Sequence, residues 1–147
     1  MSTRRDHAIR RGTAPTIAAD KQKLQLELYD GIAALFLDPK ESSYARVARM
    51  VSIVRQAMAQ QKLTTYDAQI RSAQRALDDI FDRWEDICEV RVLDLEKKTL
   101  RAAAPALAEA IDKASYRSLQ IARDRTEAEM TVQGAPRADH PFMERPQ

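Results

Sequence analysis

An acidic stretch in the middle of the chain brings together the residue types best able to do chemistry. Residues 76–90, ALDDIFDRWEDICEV, contain six carboxylates together with the only Trp and the only Cys of the 147-residue sequence. Carboxylates in pairs can act as general acid and general base or bind a cation, and a thiolate can act as a nucleophile. Whether these groups form a site depends on the face on which their spacing places them.

Helical spacing places four of these carboxylates on one side. Asp78, Asp82, Glu85 and Glu89 follow one another at i, i+4, i+7 and i+11 and form an acidic ribbon. Neighbours on one exposed face share an environment, so nothing separates their pKa values as acid–base catalysis requires. Calcium loops use glycine-containing turns, which this stretch lacks. We therefore predict no catalytic or metal-binding residues here, and interpret the acidic ribbon as a solvated face or as a face for a protein partner.

Trp84 and Cys88 lie on the apolar stripe of the same segment. Trp84 stands between Phe81 and Ile87, which predicts a core anchor, with the anchor of a dimer interface as the alternative. Cys88 is predicted to be a small buried hydrophobic residue rather than a reactive thiol. A single cysteine forms no internal disulfide, so the sequence favours a reducing, cytoplasmic compartment.

Two absences argue against an enzyme. The histidines, His7 and His140, both fall in predicted tails, which removes Ser–His and Cys–His pairs and Glu-x-x-His metal sites from the folded part. Gly31 is the only glycine between those tails, so no phosphate-binding loop is present. We predict that the protein is not an enzyme and carries no cofactor. Gly31 itself is interpreted as allowing close approach of another helix.

The composition predicts an all-α protein. The chain has 3 Gly and no Asn, the residues that hairpin turns most need, and it is rich in helix-forming residues. No stretch approaches the roughly 20 apolar residues that span a bilayer, so no membrane partner is expected.

The apolar periodicity divides the chain into three or four helices. The first begins at Thr16 and ends at Asp38–Pro39, where Asp38 is expected to cap the second, which runs to about Lys62. A long third helix is predicted from Thr65 to Lys98, a break between Lys98 and Pro105, and a fourth helix that fades near Met130. The prediction is a three- or four-helix antiparallel bundle whose third helix overhangs its neighbours. The predicted buried face of the second helix consists of Tyr44, Val47, Met50, Val51, Val54 and Met58.

The two ends of the chain lack the helical pattern of its middle. Residues 1–15 are predicted to be a flexible basic arm, residues 16–131 the helical bundle, and residues 132–147 a flexible, disordered tail with three prolines. The arm has four arginines against one acid, and these could contact DNA phosphates: Arg4, Arg5, Arg10 and Arg11.

Three segments resemble a type of small helical accessory protein encoded on bacterial mobile elements, that is, phages and plasmids. They are SYARVARMVSIVRQAM at 43–58, RALDDIFDRWE at 75–85 and LRAAAPALAEAIDKA at 100–114. The resemblance lies in alternating Ala, Arg and Leu on amphipathic helices and includes no catalytic signature. It implies an accessory role and transfers no site residues.

The leading hypothesis is a non-enzymatic accessory or regulatory protein that acts through helix faces, on another protein or on a second copy of itself. The acidic ribbon and apolar surface on the overhanging third helix would be the contacts. The alternative is a DNA-associated regulator that uses the basic arm on phosphates. No small-molecule substrate is evident from the residues.

Overall fold

The computed structural model describes residues 14–133, with side chains from 16 to 131. The predicted arm and tail lie almost entirely outside this range. Within it the chain is helical, without a strand, as the composition predicted. The described part contains five helices rather than three or four: α1 (Ala14–Leu37), α2 (Glu41–Gln61), α3 (Asp67–Ile87), α4 (Asp94–Lys113) and α5 (Tyr116–Gln133).

The first helix boundary falls where the sequence placed it. α1 ends at Leu37 and α2 begins at Glu41, because Pro39 disfavours helical geometry in the residue before it. The N-cap is Lys40 rather than Asp38, and Ser43 in the first turn supplies the capping oxygen. Its Oγ accepts from the Lys40 N–H at 3.0 Å and donates to the Asp38 carbonyl at 2.9 Å.

The prediction of a long third helix from Thr65 to Lys98 was wrong. α3 ends at Ile87, because Cys88 takes a left-handed conformation (φ 58°) as its C-cap. A short connector follows, and α4 begins at Asp94. α3 and α2 therefore both have 21 residues, and α3 does not overhang its neighbour.

Pro105 lies inside α4 instead of at a helix start. The buried face of α4 continues through the region where the apolar pattern was expected to fail, and it consists of Glu96, Leu100, Ala103, Ala104, Leu107, Ala108, Ala110 and Ile111. Small residues and one buried carboxylate make up much of this face, so its period is faint in the sequence. The packing of these residues offsets the roughly 3 kcal/mol that a proline costs within a helix.

A second break separates α4 from α5. Ala114 is extended, and Ser115 caps α5 by accepting the Ser118 N–H at 3.1 Å on its Oγ. Ser115 also donates its own N–H to Gln61 Oε1 at 2.7 Å, which holds the start of α5 beside the end of α2. The predicted single fourth helix is thus two helices.

α2 is the central helix and packs against each of the other four. α1 also packs on α4, and α3 on α4, so the first four helices enclose one core. Consecutive helices run antiparallel. α1 and α4 do so as well, since Lys21 near the start of α1 donates to the carbonyl of Ala114, just beyond the end of α4, at 2.6 Å. α5 packs on the outside of α2, where the Ser52 and Thr126 hydroxyls lie 3.1 Å apart.

The predicted buried face of α2 is confirmed, because every residue named for it is buried. On α1, Leu24, Leu28, Ile32 and Leu35 are buried as well. Gly31 lies beside α2, where an added Cβ would sit 3.5 Å from Val47 Cγ2. The helices therefore approach closely at Gly31, but the space would also accept an alanine.

Candidate functional site

The acidic ribbon is only partly assembled on α3. Asp82 and Glu85 are exposed, whereas Asp78 is half-buried and accepts a hydrogen bond from Gln74 Nε2 at 3.1 Å. Glu89 lies beyond the end of α3, in the connector, and pairs with Arg91 at 2.7 Å. The i+11 position therefore does not share the helix face with the other three, because the left-handed Cys88 turns the chain away first.

Arg83 belongs to the same acidic stretch of α3, and its guanidinium points to α4. It donates from Nη1 and Nη2 to the two carboxylate oxygens of Glu96 at 2.9 and 2.5 Å, and from Nη1 to the Arg91 carbonyl at 2.7 Å. The hydrogen bonds to Glu96 raise the pKa of Arg83 above its usual value, and the charges of Glu96 and Asp79 act in the same direction. Arg83 therefore fastens the end of α3 to the start of α4.

Glu96 is the buried carboxylate that sequence reasoning missed. It is only 7% exposed, and besides Arg83 it accepts the Leu93 N–H at 2.9 Å. An acid that caps its own helix and pairs with an arginine is a structural element. The sequence carries little signal for it, because the N-cap residue Leu93 is not of a capping type and its side chain makes no capping hydrogen bond.

Trp84 lies in the core, at 8% exposure. Its ring meets Tyr44 and Phe81 edge-on, with centroid distances of 5.9 and 5.7 Å, an arrangement that aromatic rings favour. This position agrees with the core-anchor interpretation and leaves little of the side chain for a second copy. The dimer-anchor role stays a prediction.

The prediction of a buried Cys88 was wrong, because the residue is exposed. Ile87, on the same predicted stripe, is 43% exposed. Because α3 ends at Ile87, the side chains of Ile87 and Cys88 do not point into the core. Two other exposed apolar residues follow in the connector and at the start of α4, namely Leu93 and Leu95.

The largest apolar exposure on a helix face is on α1. Leu26, Tyr29 and Leu37 are 57%, 44% and 86% exposed, and Ala33 between them is also exposed. These four residues follow at i, i+3, i+7 and i+11, so they form one line along the helix, here called the α1 stripe. α1 is thus apolar on its buried face and on its outward face, a pattern typical of a helix covered on both sides.

The α1 stripe was missed because a helix of this kind is expected to carry a single apolar face. Leu37 directly follows Leu35 and Phe36 in the sequence but points outward. The signal was present in the spacing of Leu26, Tyr29 and Ala33. By contrast, α3 exposes mainly charged residues on its outward side.

No part of the described chain offers an evident chemical centre. Residues 16–131 contain no group of three or more His, Cys, Asp or Glu side chains arranged to hold a metal ion. A shallow groove between α1 and α5 is lined by Asp20, Lys21 and Tyr116, and it has room for about one water molecule. Tyr116 donates to Asp20 there at 2.6 Å, and this bond raises the pKa of the phenol.

Among the helices of the described range, none combines the length and the apolar character that a membrane span requires. The predicted phosphate contacts Arg4, Arg5, Arg10 and Arg11 lie outside the described residues.

Comparisons with protein-family models, curated proteins and solved structures found no match to this chain.

Proposed function

We propose that this chain is a non-enzymatic accessory or regulatory protein that acts by offering helix faces to another protein or to a second copy of itself. The observation that carries the proposal is the α1 stripe, a line of exposed apolar residues on a helix whose other face already fills the core. Single exposed apolar residues are common on soluble proteins, whereas an ordered line of them on one helix is typical of an interaction surface.

The acidic ribbon supplies a second surface of different chemistry. α3 has no basic residue in its last turn, and Glu85 and Asp86 lie there, close to the negative end of the helix dipole. Acidic groups at a helix C-terminus reduce stability by some 0.3–1 kcal/mol each. A sequence that keeps them there is consistent with a role in binding a basic partner, as well as with solubility. A cytoplasmic setting and an origin on a mobile element remain part of this proposal.

The experiment is capture of partners from the native host with the tagged full chain. Leu26→Lys adds charge to the α1 stripe, and Asp82→Lys reverses charge on the acidic ribbon. Ser72→Lys is the matched control, since Ser72 is also exposed on α3 but lies away from both surfaces. We expect one of the first two variants to lose a specific partner or self-association, and the control to keep it.

The proposal would be contradicted if wild type and all three variants retained the same proteins in the same amounts and if the chain did not self-associate. Circular dichroism of each variant checks that it is folded, which is expected because all three sites are exposed.

The DNA-associated alternative depends on the arginines of the arm. The arm precedes α1 directly, since α1 begins at Ala14. Phosphate contacts by four arginines predict that DNA affinity falls steeply with salt, with a slope of about −3.6 on a double-logarithmic plot. Deleting residues 2–13 should abolish that dependence. Unchanged DNA affinity after the deletion would rule out this mode of binding.

A further inference from the structure

We propose that the segment after α5, residues 134–147, covers the α1 stripe of its own chain through Phe142 and Met143, and that a protein partner has to displace it. The inference rests on the proposed function, since it names what regulates access to one of the surfaces proposed there. It is carried by the place where α5 ends, by the length of chain that follows, and by the position of the apolar residues in that chain.

α5 ends beside the α1 stripe. Arg49 of α2 pairs with Glu27 of α1 at 3.3 Å and also with Glu127 of α5, so these two glutamates lie at the same height. α5 runs antiparallel to α2, as α1 does, and α1 and α5 therefore run in the same direction. Six residues beyond the glutamates, α1 has reached Ala33 and α5 has reached its last residue, Gln133. The chain thus leaves α5 level with a member of the stripe, one helix spacing of about 10 Å away.

The segment is long enough to reach every residue of the α1 stripe. Phe142 follows Gln133 by nine residues, and nine residues of extended chain span at most about 30 Å. The stripe runs from Leu26 to Leu37, which is about 17 Å of helix, and Gln133 lies opposite its upper half. Each member of the stripe is therefore within about 20 Å of the end of α5, which leaves chain to spare for a turn.

The apolar residues of the segment are grouped. Phe142 and Met143 are adjacent and are the only large apolar residues among residues 134–147. Pro141 precedes them and favours an extended backbone in itself and in the residue before it, which lowers the entropy lost on docking. Extended, proline-containing peptides dock on exposed aromatic side chains, and Tyr29 of the stripe offers a ring that is 44% exposed.

The basic arm fits the α1 stripe less well. Among residues 2–13 the only large apolar residue is Ile9, five residues before α1 begins at Ala14. Five residues of chain span at most about 18 Å. Tyr29 lies about 22 Å along α1 from Ala14, and Leu37 lies about 34 Å along it. Ile9 therefore cannot reach these two residues, whereas Phe142 can reach both.

A second copy of the chain is also a weaker occupant than the segment. A group tethered next to its binding surface acts at an effective concentration in the millimolar range. A free second copy at micromolar concentration would need contacts about a thousandfold stronger to displace it. A host protein that buries more of α1 than two side chains can bury meets this requirement, so the segment admits a strong partner and keeps weak ones away.

Disulfide trapping in the full chain tests this inference. Cys88 is first replaced by Ser, and Met143→Cys is then combined with Ala33→Cys on the α1 stripe. Ala128→Cys with Met143→Cys is the matched control, since Ala128 is exposed on α5 and lies about 8 Å from its last residue, nearer than the stripe does. A segment without a preferred surface would therefore pair at least as well with the control site.

In a glutathione buffer, the disulfide to position 33 should form at least about tenfold more readily than the control disulfide, because docking raises the effective concentration of the two thiols. It should form within one chain, so that the mass stays at 16.7 kDa. Adding Phe142→Asp should reduce its yield to that of the control. Circular dichroism checks that every variant is folded, which is expected because the replaced helix positions are exposed.

Equal yields for the two pairs, or a yield that Phe142→Asp does not change, would overturn the inference. A disulfide that joins two chains would make a second copy the occupant and would overturn it as well. The proposed function fails separately. If the disulfide forms as expected but the Leu26→Lys and Asp82→Lys variants retain the same host proteins as wild type, the segment covers the stripe and the proposed function is wrong. If Leu26→Lys loses a host protein while the two disulfides form equally, the proposed function stands without this regulation.

Discussion

Replacement of Arg83 by Met should destabilise the fold by about 3 kcal/mol. The side chain provides two of the three hydrogen bonds that Glu96 accepts, and both are charge-assisted. Removing one partner of a buried ion pair costs about 3–5 kcal/mol, because the other charge stays buried without compensation. The Arg83 side chain is 22% exposed, so water can partly replace it, which places the expected loss at the lower end.

Urea denaturation followed by circular dichroism measures this loss. A slope of roughly 1.5 kcal/mol/M for a domain of this size turns about 3 kcal/mol into a decrease of about 2 M in the midpoint. The double variant Arg83→Met/Glu96→Leu removes both charges and should recover most of the loss, because apolar replacements of a buried pair are often nearly neutral. A shift below about 0.5 M for the single variant, or a double variant as unstable as the single one, would refute the interpretation of this pair as a fastening between α3 and α4.

Three further predictions follow from particular contacts. Gly31→Ala should stabilise the protein by about 0.5–1 kcal/mol, measured by thermal denaturation, because the added Cβ finds ordinary van der Waals contact with Val47 and the helix loses a glycine. Cys88 should react with a thiol reagent in the native protein nearly as fast as in urea, and Cys88→Gly should stabilise the fold by about 1 kcal/mol, because glycine adopts a positive φ without strain. Tyr66 donates to Glu109 at 2.6 Å, and this bond, with burial, raises the pKa of the phenol. The folded protein keeps this proton where the unfolded chain has lost it, so the contribution is complete below pH 10 and disappears as pH rises through the folded pKa. An ultraviolet titration should show the late component, and Tyr66→Phe should remove it.

Each of these outcomes has a clear opposite. A loss of stability in Gly31→Ala would mean that α1 and α2 need glycine at their contact. A native thiol that reacts only upon unfolding would mean that Cys88 is covered. A tyrosine titration in which Tyr66→Phe leaves the late component unchanged would assign that component to another phenol, such as Tyr116.

The sequence predicted the helical class and the first two helices well because their signals are strong and local. Pro39 stands directly between the first two helices, and large aliphatic residues mark the buried faces of α1 and α2 at clear intervals. The predicted number of helices was wrong because the later helix boundaries have weaker signals in the sequence. Cys88 ends α3 in a conformation that its residue type does not predict, and α4 buries alanines and a glutamate where larger apolar residues were expected.

The candidate site was predicted less well than the fold. The acidic ribbon follows from spacing alone, but its last member depended on a helix that ends before Glu89. The α1 stripe could have been found by following every face of the first helix. The two cations beside Phe36, Lys97 and Arg101, could not have been found in this way, because they reach α1 only through the packing of α4 on α1, a contact between residues far apart in the chain.

The way in which α5 is attached has a consequence for how the protein opens. Among its described side chains, α5 buries Ser118, Leu119, Ala122 and Thr126, and its contacts with α2 include hydroxyl, amide and carboxylate groups. Such a seam has little of the large apolar area that resists separation. Amide hydrogens of α5 should exchange with solvent earlier than those of α2. Detachment of this outer helix would expose a polar face of α2 to solvent, while the aromatic residues of the core remain buried.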